Sequence, residues 1–197
     1  LWQGLGYYSR ARNLQFSAKL ILSEFGGNFP ANHADILKLK GVGPYTAAAI
    51  SSFSFGLPFA VLDGNVIRVL SRVFGIQTPF DTTAGKKQFQ KLAQELLDKK
   101  NPAEYNQAIM EFGALQCVPK SPKCNDCPIV NDCIAFNTNT VSLLPVKSKK
   151  LKVKNRYLHF LVVNKKKRGA TTLGTKKFYA FELDRYSDAS AATRLAP

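Results

Sequence analysis

The four cysteines of this 197-residue chain lie together in one short segment, CVPKSPKCNDCPIVNDC. Their spacing is C-x6-C-x2-C-x5-C, at Cys117, Cys124, Cys127 and Cys133. The first residues, LWQGLGYYSR, do not resemble a secretory signal, so clustered thiols indicate a metal site and not disulfides. Zinc sites of four cysteines usually use two C-x2-C pairs well apart, and only one such pair is present. The spacing therefore favours a structural [4Fe–4S] cluster, with zinc as the alternative and disulfides or free thiols as the least favoured interpretation.

A second candidate site is the glycine turn in LKGVGPYTAAAI. Gly41 and Gly43 permit positive φ angles and leave room for another backbone to come close. The amides at the start of the following helix, near Tyr45 and Thr46, would point outward and suit a phosphate group. Such a contact positions DNA without reading its sequence. For this motif alone, an ordinary tight turn between two helices is the alternative.

The third candidate is Asp63, which follows the apolar run FAVL and precedes Gly64 and Asn65 at the start of an amphipathic helix. This position predicts an N-cap, since a helix N-terminus attracts a carboxylate. The same carboxylate could instead stabilise positive charge that develops on a bound sugar. The local pattern does not separate these two roles.

The elements that carry these residues are predicted to be mainly helical, because apolar residues recur at helical spacing through most of residues 1–137. Gly26 and Gly27 end a first helix, and Asn32 caps a short one that runs through Leu39. Pro44 suits the first turn of the next helix, and Gly56 ends it. A further helix has Val66, Val69, Leu70 and Val73 on its core face, and two more lie at about Lys86–Lys100 and Pro102–Gln116.

Two arginines, Arg68 and Arg72, fall on the side of their helix opposite the apolar face. We expect them to face phosphate or water. After Cys133, the segment NTNTVSLLPVKSKKLKVKN is typical of a linker, RYLHFLVV predicts a strand, and KKFYAFELD predicts a second.

The net charge of +15 indicates a polyanionic partner, but the excess is concentrated near the C-terminal end. Residues 1–145 hold 14 Lys and Arg against 10 Asp and Glu, whereas residues 146–197 hold 14 against 3. No apolar run approaches the roughly 20 residues of a membrane span. We therefore expect a soluble intracellular protein, cytoplasmic and nucleoid-associated if bacterial, with no membrane partner.

Taken in order, the glycine hairpin, Asp63 about twenty residues later and C-x6-C-x2-C-x5-C resemble the helix-hairpin-helix DNA glycosylases of the endonuclease III superfamily. The resemblance covers approximately residues 1–137. It implies a mainly α fold with an iron–sulfur cluster loop, followed by a linker and an incomplete β-rich piece. The implied parts are the remainder of a six-helix barrel domain with the hairpin (1–58), an iron–sulfur helical domain (59–137), a basic linker (138–155) and an incomplete Nudix-like segment (156–197).

Details of the motifs resemble the MutY-type adenine glycosylases most closely. The hairpin reads G-V-G-P-Y-T-A, with Tyr45 where the endonuclease III branch has a catalytic lysine. A phenol cannot form the Schiff base that drives strand cleavage, so the resemblance implies base removal without a lyase step. VLDGN is also similar to this branch. LWQGLGYYSRARNLQ looks like the family segment whose first tyrosine, Tyr7 here, wedges into the duplex.

The resemblance implies hydrolysis of the N-glycosidic bond of adenine opposite 8-oxoguanine or guanine in double-stranded DNA, by a monomer. Asp63 would stabilise or capture the oxocarbenium ion, while Asn65 and Tyr45 orient the site. Gly41, Val42, Gly43, Tyr45, Thr46 and Arg68 would hold the DNA backbone.

Two departures qualify this expectation. The family's general acid, a glutamate in an E-x-x-L-Q-Q-T-like helix, has no counterpart in the sequence, and the Nudix-like region has only one or two strands. The chain as given, which lacks an initiator Met and so has the character of a fragment, is therefore expected to bind DNA weakly and to excise adenine poorly or not at all. The alternatives are a thymine or uracil mismatch glycosylase of the same superfamily and a non-catalytic DNA-binding remnant with an iron–sulfur cluster.

Overall fold

The computed structural model describes residue 2 and residues 5–148, 160–164 and 178–182. It divides the chain into two compact units, Leu1–Lys150 and Leu151–Pro197. The finer boundaries at residues 58 and 137 stay predictions. No helix in the described ranges is both long enough and apolar enough to cross a membrane.

The first unit is helical in its regular structure. Its elements are α1 (Tyr8–Glu24), α2 (His33–Ile36), α3 (Pro44–Phe55), α4 (Gly64–Val73), α5 (Thr83–Leu96), α6 (Pro102–Leu115), a 3-10 turn (Cys124–Asp126) and α7 (Ile134–Asn137). The predicted helices are all present, although α2 ends earlier than Leu39 and α5 lies a few residues before the predicted range.

Local signals set most of these boundaries. The Asn32 side chain accepts a hydrogen bond from the Asp35 amide at 2.9 Å, and Thr82 accepts one from Gly85 at 3.0 Å. Pro44 occupies the first turn of α3, and Gly56 ends that helix with φ +61°. These caps supply the hydrogen bonds that a helix end otherwise lacks.

The core of the first unit forms where α4 packs against α5, α6 and α7. Its central apolar cluster is buried and comes from α4, α5 and the segments beside them: Ala60, Val66, Leu70, Ile76, Phe89, Ala93 and Leu97. Helix α4 is therefore covered by other helices on several sides, and the residues at its start lie in a partly buried environment.

In the second unit the described residues form two antiparallel strands, β1 (Phe160–Asn164) and β2 (Phe178–Glu182). Phe160 lies opposite Glu182, and Asn164 lies opposite Phe178. Strand β2 falls within its predicted segment, and β1 overlaps its own, ending one residue later at Asn164. The Nudix-like assignment of this region stays a prediction.

Candidate functional site

The glycine turn between α2 and α3 lies against α1. Gly41 has φ +83°, and a Cβ atom there would lie 2.7 Å from the Asn13 amide nitrogen, so a side chain is excluded on two grounds. Ser17 on α1 donates a hydrogen bond to the Lys40 carbonyl at 3.1 Å. The turn is therefore fixed to α1 by both shape and hydrogen bonding.

The start of α3 leaves backbone donors available. Its N-cap is Gly43, which has no side chain to accept a hydrogen bond from the first turn. The amides of Gly43, Tyr45 and Thr46 donate to no acceptor among the described residues, whereas the Val42 amide is bonded to the Leu39 carbonyl at 3.1 Å. Tyr45 is 46% exposed. Unpaired amides at the positive end of a helix form an anion-binding surface.

Asp63 is the N-cap of α4, and both of its carboxylate oxygens accept hydrogen bonds. Oδ1 accepts from the Val66 amide at 2.7 Å, and Oδ2 accepts from Asn65 Nδ2 at 3.0 Å. The carboxylate is half-buried. A charged group held at two points in a partly closed site is suited to act on charge that develops beside it.

Asn65 is held in turn by Arg68, whose Nη2 donates to Asn65 Oδ1 at 2.8 Å. The same guanidinium donates to the Gly113 carbonyl, and its Nε donates to the Cys117 carbonyl at 2.7 Å. A Cβ atom on Gly113 would lie 2.7 Å from Asn65 Cβ, so α6 contacts α4 here only because residue 113 is glycine. Asp63, Asn65 and Arg68 thus form one hydrogen-bonded chain.

The expectation that Arg68 and Arg72 face phosphate or water does not hold. They are only 8% and 2% exposed. Arg72 donates to the carbonyls of Val118, Pro119, Val141 and Leu144 and lies 3.4 Å from Cys117 Sγ. Burial lowers the pKa of Arg68. Both arginines are directed inward because the segment that carries the four cysteines, residues 117–133 (the cysteine loop), covers the side of α4 that an isolated helix would leave to solvent.

The four cysteines surround a single pocket, which is also lined by Phe112, Ile129 and Val130. Burial, together with the other three thiols, raises the pKa of the Cys124 thiol. No three metal-binding side chains in the described ranges lie close enough to hold one ion. The pocket nonetheless brings all four thiols together, and in a multi-iron cluster each thiolate binds at a different iron.

Tyr7 lies at the start of α1 with a left-handed backbone, φ +45°, and its ring is 81% exposed. The Arg10 guanidinium lies 5.8 Å from the ring centre. No hydrogen bond or ring contact joins Tyr7 or Tyr45 to Asp63 among the residues described. The structure therefore brings together Asp63, Asn65, Arg68 and the cysteine loop, and presents the two tyrosines at the surface.

Sequence reasoning missed the polar side chains that hold the segment before Asp63. Asn106 and Gln94 bond to the backbone of residues 58–61, although they lie more than thirty positions away in sequence. It also missed His33, which stacks on Phe59 at 3.9 Å and contacts Ser51 Oγ at 3.0 Å. No local motif marks these residues, because their partners come from distant parts of the chain.

Comparison with known proteins supports the resemblance. A helix-hairpin-helix motif model matches residues 24–53. The adenine DNA glycosylase of Buchnera aphidicola subsp. Schizaphis graminum is 39% identical over 83% of this chain and 47% of its own length. The human adenine DNA glycosylase is 46% identical over 68% of this chain and 25% of its own length. The chain therefore spans about half, or less, of the length of these relatives.

Solved structures agree on the fold. A thermostable thymine-DNA glycosylase aligns with a TM-score of 0.61 and 33% identity, over 66% of this chain and 59% of that structure. A non-covalent endonuclease III–DNA complex aligns with a TM-score of 0.59 and 27% identity, over 69% of this chain and 61% of the other. The helical unit is thus similar to proteins that act on DNA bases and to one bound to DNA.

Proposed function

Since the chain is related to the MutY-type adenine DNA glycosylases of the helix-hairpin-helix superfamily, we propose that it supplies DNA-binding and catalytic parts of an enzyme that removes adenine from mispaired DNA. The substrate would be adenine opposite 8-oxoguanine or guanine. The observation that carries the proposal is the Asp63 carboxylate, which is held by the Val66 amide and the Asn65 side chain at the start of a buried helix. The protein would act as a monomer on double-stranded DNA inside the cell.

In this proposal the bond between C1′ and N9 breaks, and its electron pair leaves with adenine, which takes up a proton. Positive charge then develops on the sugar, and Asp63 stabilises it until water adds to C1′. Asn65 keeps the carboxylate in place. Tyr45, next to the open amides of α3, contacts the DNA strand and cannot form a Schiff base, so the strand is left uncut.

The DNA backbone would be held at the hairpin. The unpaired amides of Gly43, Tyr45 and Thr46 would bind one phosphate, and the two glycines let that phosphate come close. Tyr7, exposed beside Arg10, would insert into the duplex next to the mispair. Arg68 has no part in this contact, because its donors are used inside the protein.

Cys117, Cys124, Cys127 and Cys133 would hold a [4Fe–4S] cluster, which supplies a rigid link within the loop and no redox step. Arg72 fixes the same loop through its carbonyl oxygens, and Arg68 connects the loop to Asn65. Iron and sulfide analysis of the purified protein, together with its visible absorption, tests this assignment. Stoichiometric zinc without iron would refute it.

We also propose that this chain excises adenine slowly, because none of its described residues fits the role of the acid that protonates the base. The four glutamates of the helical unit, Glu24, Glu95, Glu104 and Glu111, are all exposed. Rapid excision of adenine by the 197-residue chain would refute this statement.

The proposed function is tested with enzyme in excess over labelled duplexes that carry A opposite 8-oxoguanine, A opposite guanine, or T opposite guanine. Treatment with alkali reveals base removal, and untreated samples reveal strand cleavage. We expect alkali-dependent cleavage at adenine and no borohydride-trapped adduct. Cleavage at thymine would instead favour a mismatch thymine glycosylase, a candidate that the similarity to the thymine-DNA glycosylase structure supports.

Asp63→Asn is the matched variant for this assay. Asparagine caps helices about as well as aspartate, so the fold should be retained while the negative charge is removed. We expect the excision rate to fall by about 10²-fold or more, with a melting temperature close to that of the unaltered protein. An Asp63→Asn protein with unchanged excision would show that Asp63 is only a cap.

A further inference from the structure

The segment before Asp63 has backbone groups that are hydrogen-bonded by side chains. In a sheet, a neighbouring strand would make those hydrogen bonds. Residues 57–62 belong to no helix or strand, yet Ala60 and Val61 are 3% and 1% exposed. Buried backbone groups need hydrogen-bond partners, and in the described part of the chain no backbone carbonyl accepts from the amides of these two residues. Their donors must therefore be satisfied by side chains.

Amide side chains from α5 and α6 fill that need. Asn106 Oδ1 accepts from the Val61 amide at 3.0 Å, while Asn106 Nδ2 donates to the Phe59 carbonyl at 2.9 Å. Gln94 repeats the pattern one step earlier: its Oε1 accepts from Ala60 at 3.0 Å and its Nε2 donates to Pro58 at 2.8 Å. A primary amide presents one donor and one acceptor side by side, as an adjacent strand would.

Asn106 is the more consequential of the two. It is 1% exposed, both ends of its amide are used on the backbone, and the last residue it fixes, Val61, stands two positions before Asp63. A catalytic group must be held within about half an ångström of its working position by the groups that support it. Gln94 is less buried and acts farther from Asp63.

We propose that Asn106 is a positioning residue for Asp63, with Gln94 as a secondary support. It does not touch the reacting atoms; it fixes the path of the backbone that delivers the carboxylate to the start of α4. The inference rests on the role proposed for Asp63 above.

Asn106→Asp tests the inference, because it preserves shape while replacing the amide donor with a carboxylate oxygen, which is charged at about pH 8. The introduced carboxylate can still accept a hydrogen bond from the Val61 amide, but it cannot donate one to the Phe59 carbonyl. The carboxylate oxygen that replaces the amide nitrogen would instead face the Phe59 carbonyl oxygen and be repelled by it. We expect single-turnover excision of adenine at about pH 8 to fall ten- to a hundredfold, with unchanged DNA affinity.

The pH profile separates positioning from a general loss of packing. Burial raises the pKa of the introduced carboxyl, and its protonated form can donate to the Phe59 carbonyl again. His33, which stacks on Phe59, is the titratable group beside this contact and is the same in both proteins. The rate relative to the unaltered protein should therefore recover as the pH is lowered. Gln107→Ala is the control on the same helix, because Gln107 is exposed and, among the described residues, its side chain bonds only to Glu111. Gln94→Ala should give a smaller loss of rate in a folded protein.

Amide hydrogen exchange gives a readout independent of turnover. The Val66 amide reports the Asp63 cap, and the Gly85 amide, capped by Thr82 at 3.0 Å, is its internal reference. Positioning predicts faster exchange at Val66 relative to Gly85 in Asn106→Asp. Equal changes at both caps, or an unchanged excision rate, would overturn the inference. If the unaltered protein excises nothing, the proposed function fails, while the exchange ratio still decides whether Asn106 positions Asp63.

Discussion

Helices α3 and α4 begin close together in sequence, but their N-termini are completed in opposite ways. At α3 the N-cap is Gly43, and the amides of Tyr45 and Thr46 remain without partners in the described structure. At α4 the N-cap is Asp63, whose carboxylate takes the Val66 amide. The positive end of a helix attracts an anion in both cases. In the function proposed above, α3 leaves that anion to be supplied by a DNA phosphate, and α4 supplies its own, the Asp63 carboxylate, which acts on the substrate.

The surroundings extend this contrast. The hairpin is exposed and makes few side-chain hydrogen bonds, whereas the start of α4 is linked through Asn65 and Arg68 to the cysteine loop. A surface that binds a DNA strand needs hydrogen-bond donors that the protein itself does not use. A side chain that must stay in one position instead needs neighbours that are all hydrogen-bonded. The difference between the two helix starts is therefore a difference in which groups are left free.

The largest loss of stability should come from removing hydrogen bonds between α4 and the cysteine loop. Arg72→Leu removes donors from four carbonyl oxygens of the cysteine loop and its neighbours. Because buried acceptors without partners cost about 1–3 kcal/mol each, we expect the free energy of unfolding to fall by about 3 kcal/mol or more. Urea denaturation measures this. Arg12→Leu, at an exposed position of α1, is the control, and an equal loss in both variants would contradict the role of Arg72.

A smaller effect should follow from making α3 resemble α4. Gly43 has extended backbone angles, φ −95° and ψ 178°, and space for a side chain, so Gly43→Asp can cap the helix without strain. We expect stability to rise by a few tenths of a kcal/mol, and DNA affinity to fall by about tenfold because the carboxylate occupies the phosphate site. Fluorescence anisotropy with duplex DNA measures the affinity.

Gly43→Ala separates the two causes in that experiment. It adds a methyl group with no charge and no acceptor, so it should reduce DNA affinity less than Gly43→Asp does. Equal affinities for the aspartate variant and the unaltered protein would show that the amides of α3 do not bind phosphate.

The smallest change in stability is expected at α2, where a solvent-exposed ion pair joins Asp35 and Lys38. The hydrogen bond from Lys38, at 2.6 Å, and that from Asn32 lower the pKa of Asp35. A carboxyl whose pKa is lower in the folded than in the unfolded protein stabilises the fold at pH values above the ordinary pKa of aspartate. This stabilisation is lost as the pH falls through the lowered pKa of the folded state. Asp35→Asn should therefore lower the melting temperature slightly at neutral pH and not at strongly acidic pH. A difference that persists in acid would indicate another cause.

The sequence predicts those features that depend on neighbouring residues. Asn32, Pro44, Gly56 and Asp63 mark the ends of their helices in the structure as the local pattern indicates, because each acts within one turn. The mainly helical fold follows from the same periodicity.

The surroundings of Asp63 could not be predicted in this way. Arg68 and Arg72 stand opposite an apolar face, a pattern that usually means exposure, but the cysteine loop arrives from about fifty residues later and buries them. Asn106 acts on backbone groups some forty-five positions away. Hydrogen bonds across such separations depend on the tertiary fold, and periodicity within one helix carries no information about them.

The contact between Gly113 and Asn65 limits how this protein can evolve. Any side chain at residue 113 would place its Cβ atom 2.7 Å from Asn65 Cβ and 3.0 Å from the Asn65 carbonyl oxygen. An alanine there therefore requires a wider gap between α4 and α6, or glycine at 65 together with a small backbone shift. Glycine at 65 would release one oxygen of Asp63 and one donor of Arg68. The two positions are therefore epistatic, and a lineage that retains the chemistry proposed for Asp63 has no neutral single-step path away from glycine at 113.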